Sequence, residues 1–399
     1  GGLFRNDMAW FQGDAVRKNP NLKPETTISK EIGAEVRLLD GRLTADVTYY
    51  DKYTRDQIVE SELSYLSNYQ RVIINSGKIS NKGWEISVSG VPVKVKNFEW
   101  KTIFNWSKNN SMVESLPEGI DKIQIGSGVY NVKSYAEVGK PYGAIYAKTF
   151  KRDAEGYILC QLDGSPKEGQ DYEYLGCVQA DWRGGWNNVF RLGNFSFSVM
   201  FDFQKGGKFF SQTSIQSSVD GQSVKSLEGR DADFFSRKIL GESDEERYGF
   251  MRPQNANTPT ANGQIYPDWG RPKGVVLPNC RYDEDVEGLA GQQVLGYCTP
   301  ERYWMHYTSR DISRFIYDAS YVKLREITVS YDLPKKWLRK TPFQTFRVAA
   351  VGRNIVTLFA NTPHGLDPQA TSTTGNAQGF ERGFNLPSAT YGFDIKVSF

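Results

Sequence analysis

The residues best equipped to hold a ligand are Arg302, Tyr303, Trp304 and Asp311, which combine flat aromatic faces with a cation and a carboxylate. Aromatic rings stack on the apolar faces of sugars while charged neighbours satisfy hydroxyls, so these four are candidate substrate contacts for a glycan. The same aromatics, with Tyr266, Trp269 and Tyr307, equally suit the packing of a long loop or a girdle at a membrane interface. Just upstream, Asp283, Asp285 and Glu287 precede Gly288 in a spacing that partly matches a calcium loop, but Val294 stands where the closing glutamate belongs. A solvated acidic run needs no ion, so no metal and no cofactor are expected. Four cysteines pair by position as Cys160 with Cys177 and Cys280 with Cys298, two short loops that a disulfide would stiffen. Buried thiols are the alternative. The spacings lack the CxxC form, and the two histidines, His306 and His364, lie away from both pairs.

No catalytic chemistry emerges from this set. A nucleophile elbow, a phosphate-cradling glycine loop before a helix and a histidine-based acid/base pair are all missing, and Gly206-Gly207 reads as the start of a loop. The net charge is +3 without a basic stripe, which gives nucleic acid no footprint. Binding or passage is the expectation, and the chain is not expected to be an enzyme.

The elements that must position these residues are strands. At the carboxy terminus Tyr391, Phe393, Ile395, Val397 and Phe399 alternate with Gly392, Asp394, Lys396 and Ser398. A period of two puts the apolar set on one face and the polar set on the other, as in a wall with lipid outside and water inside. About ten tilted residues cross a bilayer core, and a closing strand with a terminal aromatic resembles the signal read by the outer-membrane barrel assembly machinery. Hydrophobic residues are only 39% and mean hydropathy is −0.53, and apolar stretches break well short of the roughly 18 residues a spanning helix needs. Any crossing is therefore by strands paired in a closed barrel. The 14% aromatic content suits a barrel with interfacial girdles.

Alternation gives hairpins over 28–39 with 43–59 around Asp40-Gly41-Arg42, 84–95 with 98–108 around Lys96-Asn97, and 185–192 with 195–204 around Gly193-Asn194. Phe195, Phe197, Val199, Phe201 and Phe203 form the cleanest apolar face. Residues 321–332 lead into the basic turn Pro334–Lys340, and 343–353 return before the last strand. Val322 and Leu324 sit on one parity and Ile327, Val329 and Tyr331 on the other, which predicts a bulge near Arg325. Every short turn falls on one side, and the long connections, 60–82, 109–182, 205–320 and 354–388, fall on the other. That segregation is the outer-membrane pattern of short periplasmic turns and long extracellular loops. About nine strands result, an odd count, whereas single-chain bacterial barrels have even counts. Gly1–Asp7 also lacks the basic, apolar and cleavage regions of a signal peptide, so the chain reads as a carboxy-terminal portion of a longer protein.

In this order the residues resemble the SusC/RagA-type TonB-dependent transporters. The motifs are Asn19-Pro20-Asn21-Leu22-Lys23-Pro24-Glu25-Thr26, Val47-Thr48-Tyr49-Tyr50, Asn75 to Glu85, Asp181 to Asn188, Asp318 to Tyr331, Gly352-Arg353-Asn354, Gly365-Leu366-Asp367-Pro368 and the terminal strand. The resemblance implies an all-β fold, a portion over 1–399 of an antiparallel transmembrane β-barrel of about 22 strands. It implies an amino-terminal plug domain and early strands that this chain does not contain, and a SusD-type surface lipoprotein as lid. It further implies import of oligosaccharide or peptide cargo driven by TonB through the plug, in the outer membrane of a Gram-negative bacterium, with loops at the cell surface and outer-membrane lipid around the wall. A passive porin and a surface adhesin on a barrel are the alternatives.

Overall fold

The computed structural model describes residues 2–5, 8–11, 16–62, 69, 71–75, 77–227, 275–298, 302–363, 365–369, 378–383 and 388–399. Nine strands form one sheet: β1 (Thr26–Leu38), β2 (Leu43–Arg55), β3 (Lys78–Val95), β4 (Phe98–Ser115), β5 (Trp182–Leu192), β6 (Phe195–Lys205), β7 (Tyr321–Asp332), β8 (Thr345–Ala360) and β9 (Thr390–Ser398). Each pairs antiparallel with its neighbour in sequence, so the sheet is a continuous meander from β1 to β9. The expected hairpins all form, and β3, β4 and β8 run longer than their alternation suggested. In β3 and β4 polar ends continue the ladder beyond the segment where one face is apolar, and β8 runs on past Arg353-Asn354 through the apolar stretch Ile355–Ala360.

The register sorts the side chains. Phe197 faces Phe190 on β5 and Val329 on β7, Phe201 faces Trp186 and Leu324, and Trp186 faces Phe104 on β4. Rings in this row meet at centroid distances of 5.8 Å (Trp100–Phe190), 6.1 Å (Phe190–Phe197) and 5.9 Å (Trp186–Phe201), cross-strand contacts that hold one register against a slip. This apolar face is bare: Phe393 is 84% exposed, Tyr391 73% and Ile395 63%. Fully burying one such side chain is worth about 1.5–3 kcal/mol, so a face of this size belongs against something apolar. Among the described residues no helix is long and apolar enough to cross a membrane.

The predicted bulge is present. Pairing of β6 with β7 shifts between Met200 and Phe201, opposite Arg325, and pairing of β7 with β8 shifts between Leu324 and Glu326. The extra residue restores Val322 and Leu324 to the same face as Ile327 and Val329. It also directs Arg325 to the polar face, where it bonds Asp202.

The short turns are stitched along one rim. Gly193 N donates to Asn97 O at 2.8 Å, Asp332 N to Asn194 O at 2.9 Å, and Gln344 N to Ser398 O at 2.8 Å. In the first turn Leu39, Asp40 and Gly41 all have positive φ, 53°, 53° and 81°, which favours glycine at the third.

At the opposite rim the long connections fold into small sheets that interlock. Ile158–Cys160 runs parallel to Val275–Tyr282, which pairs antiparallel with Gln293–Cys298, so the connection after β4 is joined to the one after β6. Lys208–Ser211 pairs with Ile316–Asp318 and with Phe380–Glu381, which ties in the connection after β8. Lys122–Ser127, Lys133–Glu137, Ala144–Ala147 and Glu173–Cys177 form a further antiparallel sheet. The helix α1 (Gln212–Val219) begins at Ser211, whose hydroxyl accepts from Ser214 N at 3.1 Å. The buried carboxylate of Glu381 accepts from Ser211 Oγ at 2.6 Å and Thr213 Oγ1 at 2.7 Å, holding the β8–β9 connection against the start of this helix.

Candidate functional site

The residues expected to touch substrate lie in this interlocked region, and their surroundings give most of them another role. Tyr303–Tyr307 forms a π-helical turn closed by Thr308 N donating to Tyr303 O at 2.9 Å. Tyr303 and Trp304 are each 1% exposed and Tyr307 2%, packed in one core with Phe150, Val275, Val294 and Cys298. Their rings have no free face for a sugar, so the stacking expectation gives way to core packing. Arg314 donates to the Tyr303 hydroxyl and lies 5.8 Å from the Trp304 ring centroid. Asp311 is buried and accepts from Ser313 N at 3.3 Å and Ser313 Oγ at 2.5 Å, capping the turn that follows. Arg302 pairs with Asp163 at 2.9 Å. Burial opposes ionisation of Asp163, but hydrogen bonds from Ser165 and Arg302 outweigh it and hold the carboxyl below its ordinary range. Tyr266, Trp269 and His364 lie outside the described residues.

The four cysteines are thiols, and of the two expected pairs only Cys280 with Cys298 shares a core. Cys160, Cys280 and Cys298 share the core around Trp304, whereas Cys177 sits in the sheet with Ala144–Ala147. A hydrogen bond with the Cys280 thiol and burial push the Cys160 thiol up, and burial does the same to Cys298, which keeps both unreactive. The candidate calcium residues are likewise engaged. Asp283 accepts from Lys151 at 2.9 Å and Lys167 at 2.8 Å, and Lys167 also bonds Asp285. Burial opposes the charge on Asp283, yet these two ammonium groups hold its carboxyl at about 2. Two lysines supply the positive charge that a calcium ion would have brought. Among the described residues no group of three or more acidic, histidine or cysteine side chains is placed to hold a metal.

The polar face of the sheet offers a better site. Asp202 on β6 and Arg325 on β7 form an ion pair, with Arg325 Nε donating at 3.1 Å and Tyr321 OH donating to the same carboxylate at 3.2 Å. Arg325 also donates to Asn354 Oδ1 at 2.6 Å and to Gln369 Oε1 at 2.7 Å. Two residues earlier on β7, Lys323 donates to both oxygens of Asp367 at 2.6 Å and to Gln369 at 2.9 Å, with its side chain only 6% exposed. Gln369 in turn donates to Tyr321 OH at 2.6 Å. Gly365–Gln369, part of the long connection after β8, is therefore folded back over the polar face and held there. Beside it a cavity of about 410 Å³ opens between Arg183, Asp202, Gln204, Lys208 and Gln369. A second, of about 490 Å³, runs along the same face past Asp46, Glu85 and Asn105. Three sequence signals touch this site: the bulge at Arg325 and the motifs Asp318 to Tyr331 and Gly365-Leu366-Asp367-Pro368, which contain Lys323 and Asp367. None of them paired Lys323 with Asp367 or pointed to Gln369, because a lysine in a strand and an aspartate in a loop are ordinary until folding places them together.

One face of this wall is polar and carries charges of both signs, the other is apolar and bare, a division that suits a boundary between water and lipid, and the folded-back segment covers part of the polar face.

Comparison with known proteins agrees with this geometry. A family profile described as "TonB dependent receptor-like, beta-barrel" matches residues 4–355. The chain is 25% identical over 395 residues to the TonB-dependent receptor P3 of Formosa agariphila, covering 94% of this chain and 33% of that protein. It is 29% identical over 104 residues to the TonB-dependent receptor SusC of Bacteroides thetaiotaomicron, 26% of this chain and 10% of SusC. The RagAB peptide importer in its closed-closed state superposes with a TM-score of 0.61 at 17% identity, over 99% of this chain and 38% of that one. The chain thus spans about a third of the length of P3 and of that importer chain.

Proposed function

Since the chain belongs to the TonB-dependent receptor-like β-barrel family, whose members sit in the outer membrane, we propose that it is part of an importer of oligomeric nutrients, glycan or peptide. In this reading the nine strands are one arc of a larger barrel. Both β1 and β9 have an unpaired edge among the described residues, and a sheet with open edges in lipid leaves backbone groups without partners, so further strands complete the wall, around a plug domain of the kind the family likeness suggests. Transport is energised by TonB acting on the plug. A SusD-type lipoprotein closes over the interlocked extracellular region, and the alternating face of β9 with Phe399 serves as the assembly signal.

The observation that carries the reading is the division of one nine-strand meander into a bare apolar face and a charged polar face. A soluble sheet would cover the first face, whereas a passive porin or a surface adhesin on a barrel would share the division, and plug peptides in the full-length protein separate the importer from both. The test is the intact mass of the polypeptide extracted from outer membranes, with peptide mapping of what accompanies it. A mass well above 45.2 kDa, with plug peptides and a lipoprotein, is expected. A mass near 45.2 kDa with no companions would overturn the plug-gated mechanism.

A further inference from the structure

The rim of short turns carries an unbalanced charge. Lys335, Lys336, Arg339 and Lys340 are all exposed, and among the described residues none forms an ion pair. The nearest carboxylate in sequence, Asp332, is taken by Arg347 at 2.6 Å. A run kept only for solubility would expose no large apolar side chain, yet Trp337 in its middle is 60% exposed while the adjacent Leu338 is buried and pins the turn. The turn stands at the end of the apolar face, where Phe343 meets Phe346 at 5.9 Å and Phe399 at 5.3 Å, and Phe195 meets Tyr331 at 4.6 Å. An outward tryptophan at the edge of an aromatic band, with four cations beside it, is the combination that membrane proteins place at the level of lipid headgroups.

We propose that Pro334–Lys340 is a binding site for anionic phospholipid headgroups of the periplasmic leaflet, with Trp337 seated in the interface and the four cations on the phosphates. Charge complementarity selects the occupant. A zwitterionic headgroup cancels its own phosphate charge, whereas phosphatidylglycerol leaves a net negative charge for the unpaired lysines and arginine. The site rests on the membrane reading above and adds a lipid preference to it.

The test uses the full-length transporter in vesicles whose phosphatidylglycerol or phosphatidylcholine carries brominated chains. Comparison of wild type with W337F isolates the Trp337 fluorescence. Brominated phosphatidylglycerol is expected to quench it at a mole fraction roughly tenfold lower than brominated phosphatidylcholine. High salt should reduce the preference, and the exposed variant K335Q/K336Q/R339Q/K340Q should abolish it. Equal quenching by the two lipids, or an unchanged preference in that variant, overturns the proposal. Quenching of Trp186, on the apolar face, with none of Trp337 also overturns it, because the turn would then stand in water. Absence of quenching at both tryptophans would instead break the membrane reading.

Discussion

Replacing Lys323 with Met should release the segment Gly365–Gln369 from the polar face without unfolding the sheet. Lys323 and Asp367 have side chains 6% and 11% exposed, and the ammonium bonds both carboxylate oxygens at 2.6 Å. Removing one partner of a buried ion pair costs about 3–5 kcal/mol, because the other charge stays buried without compensation. Here the segment can swing into water to solvate Asp367, so the cost falls on docking. The lower figure applies, about 3 kcal/mol, a shift of roughly a hundredfold in the docking equilibrium. Hydrogen exchange of a peptide spanning 362–369 in the full-length transporter reads this, since Leu366 N donates to Pro363 O and Gln369 N to Asp367 Oδ1 in the docked segment. The double variant K323M/D367L should recover part of the protection, because it removes the stranded charge. Unchanged protection in K323M would refute the reasoning, and so would a loss spread evenly over β1 to β9.

On the apolar face, Phe197→Arg should destabilise the barrel by about 2–4 kcal/mol in urea titrations from lipid vesicles, whereas Ser198→Arg, one residue on and facing water, should change it little. Trp304→Ala should cost about 3–5 kcal/mol of stability in the interlocked loops and expose them to trypsin. Stabilisation of those loops by Asp283 should hold above the ordinary aspartate range and decline as pH falls from about 4 towards 2. The folded-state carboxyl sits below its unfolded value, so the proton binds the unfolded form first, and acid-dependent proteolysis reads the effect, which D283N should remove.

Strands and hairpins were legible because a period of two leaves its mark on every residue of a wall with different solvents on its two sides. The same rule located the bulge at Arg325, where the parity of Val322 and Leu324 conflicts with that of Ile327 and Val329. The interlocked region formed by the long connections was not legible. Its three-strand sheet joins Ile158–Cys160 to strands more than a hundred residues later, and such short segments carry no period of their own. Trp304 resembled a sugar platform for the same reason: a loop aromatic reads alike whether exposed or covered, and Phe150 with Val275 and Val294, which cover it, come from distant parts of the chain. The Asp283 run resembled a calcium loop until Lys151 and Lys167 were placed against it. Local spacing suggests ligands, while only the fold shows which charges are already matched.

The central claim, import coupled to TonB, is tested most directly by depletion of a mixed pool of oligosaccharides and peptides from the medium, followed by mass spectrometry. The cells compared are the parent, a strain lacking this protein and a strain lacking TonB. Components too large for porins should disappear in the parent and persist in both deletion strains, and their chemistry would identify the cargo. Depletion that continues without TonB, or that no component shows in dependence on this protein, would contradict the account.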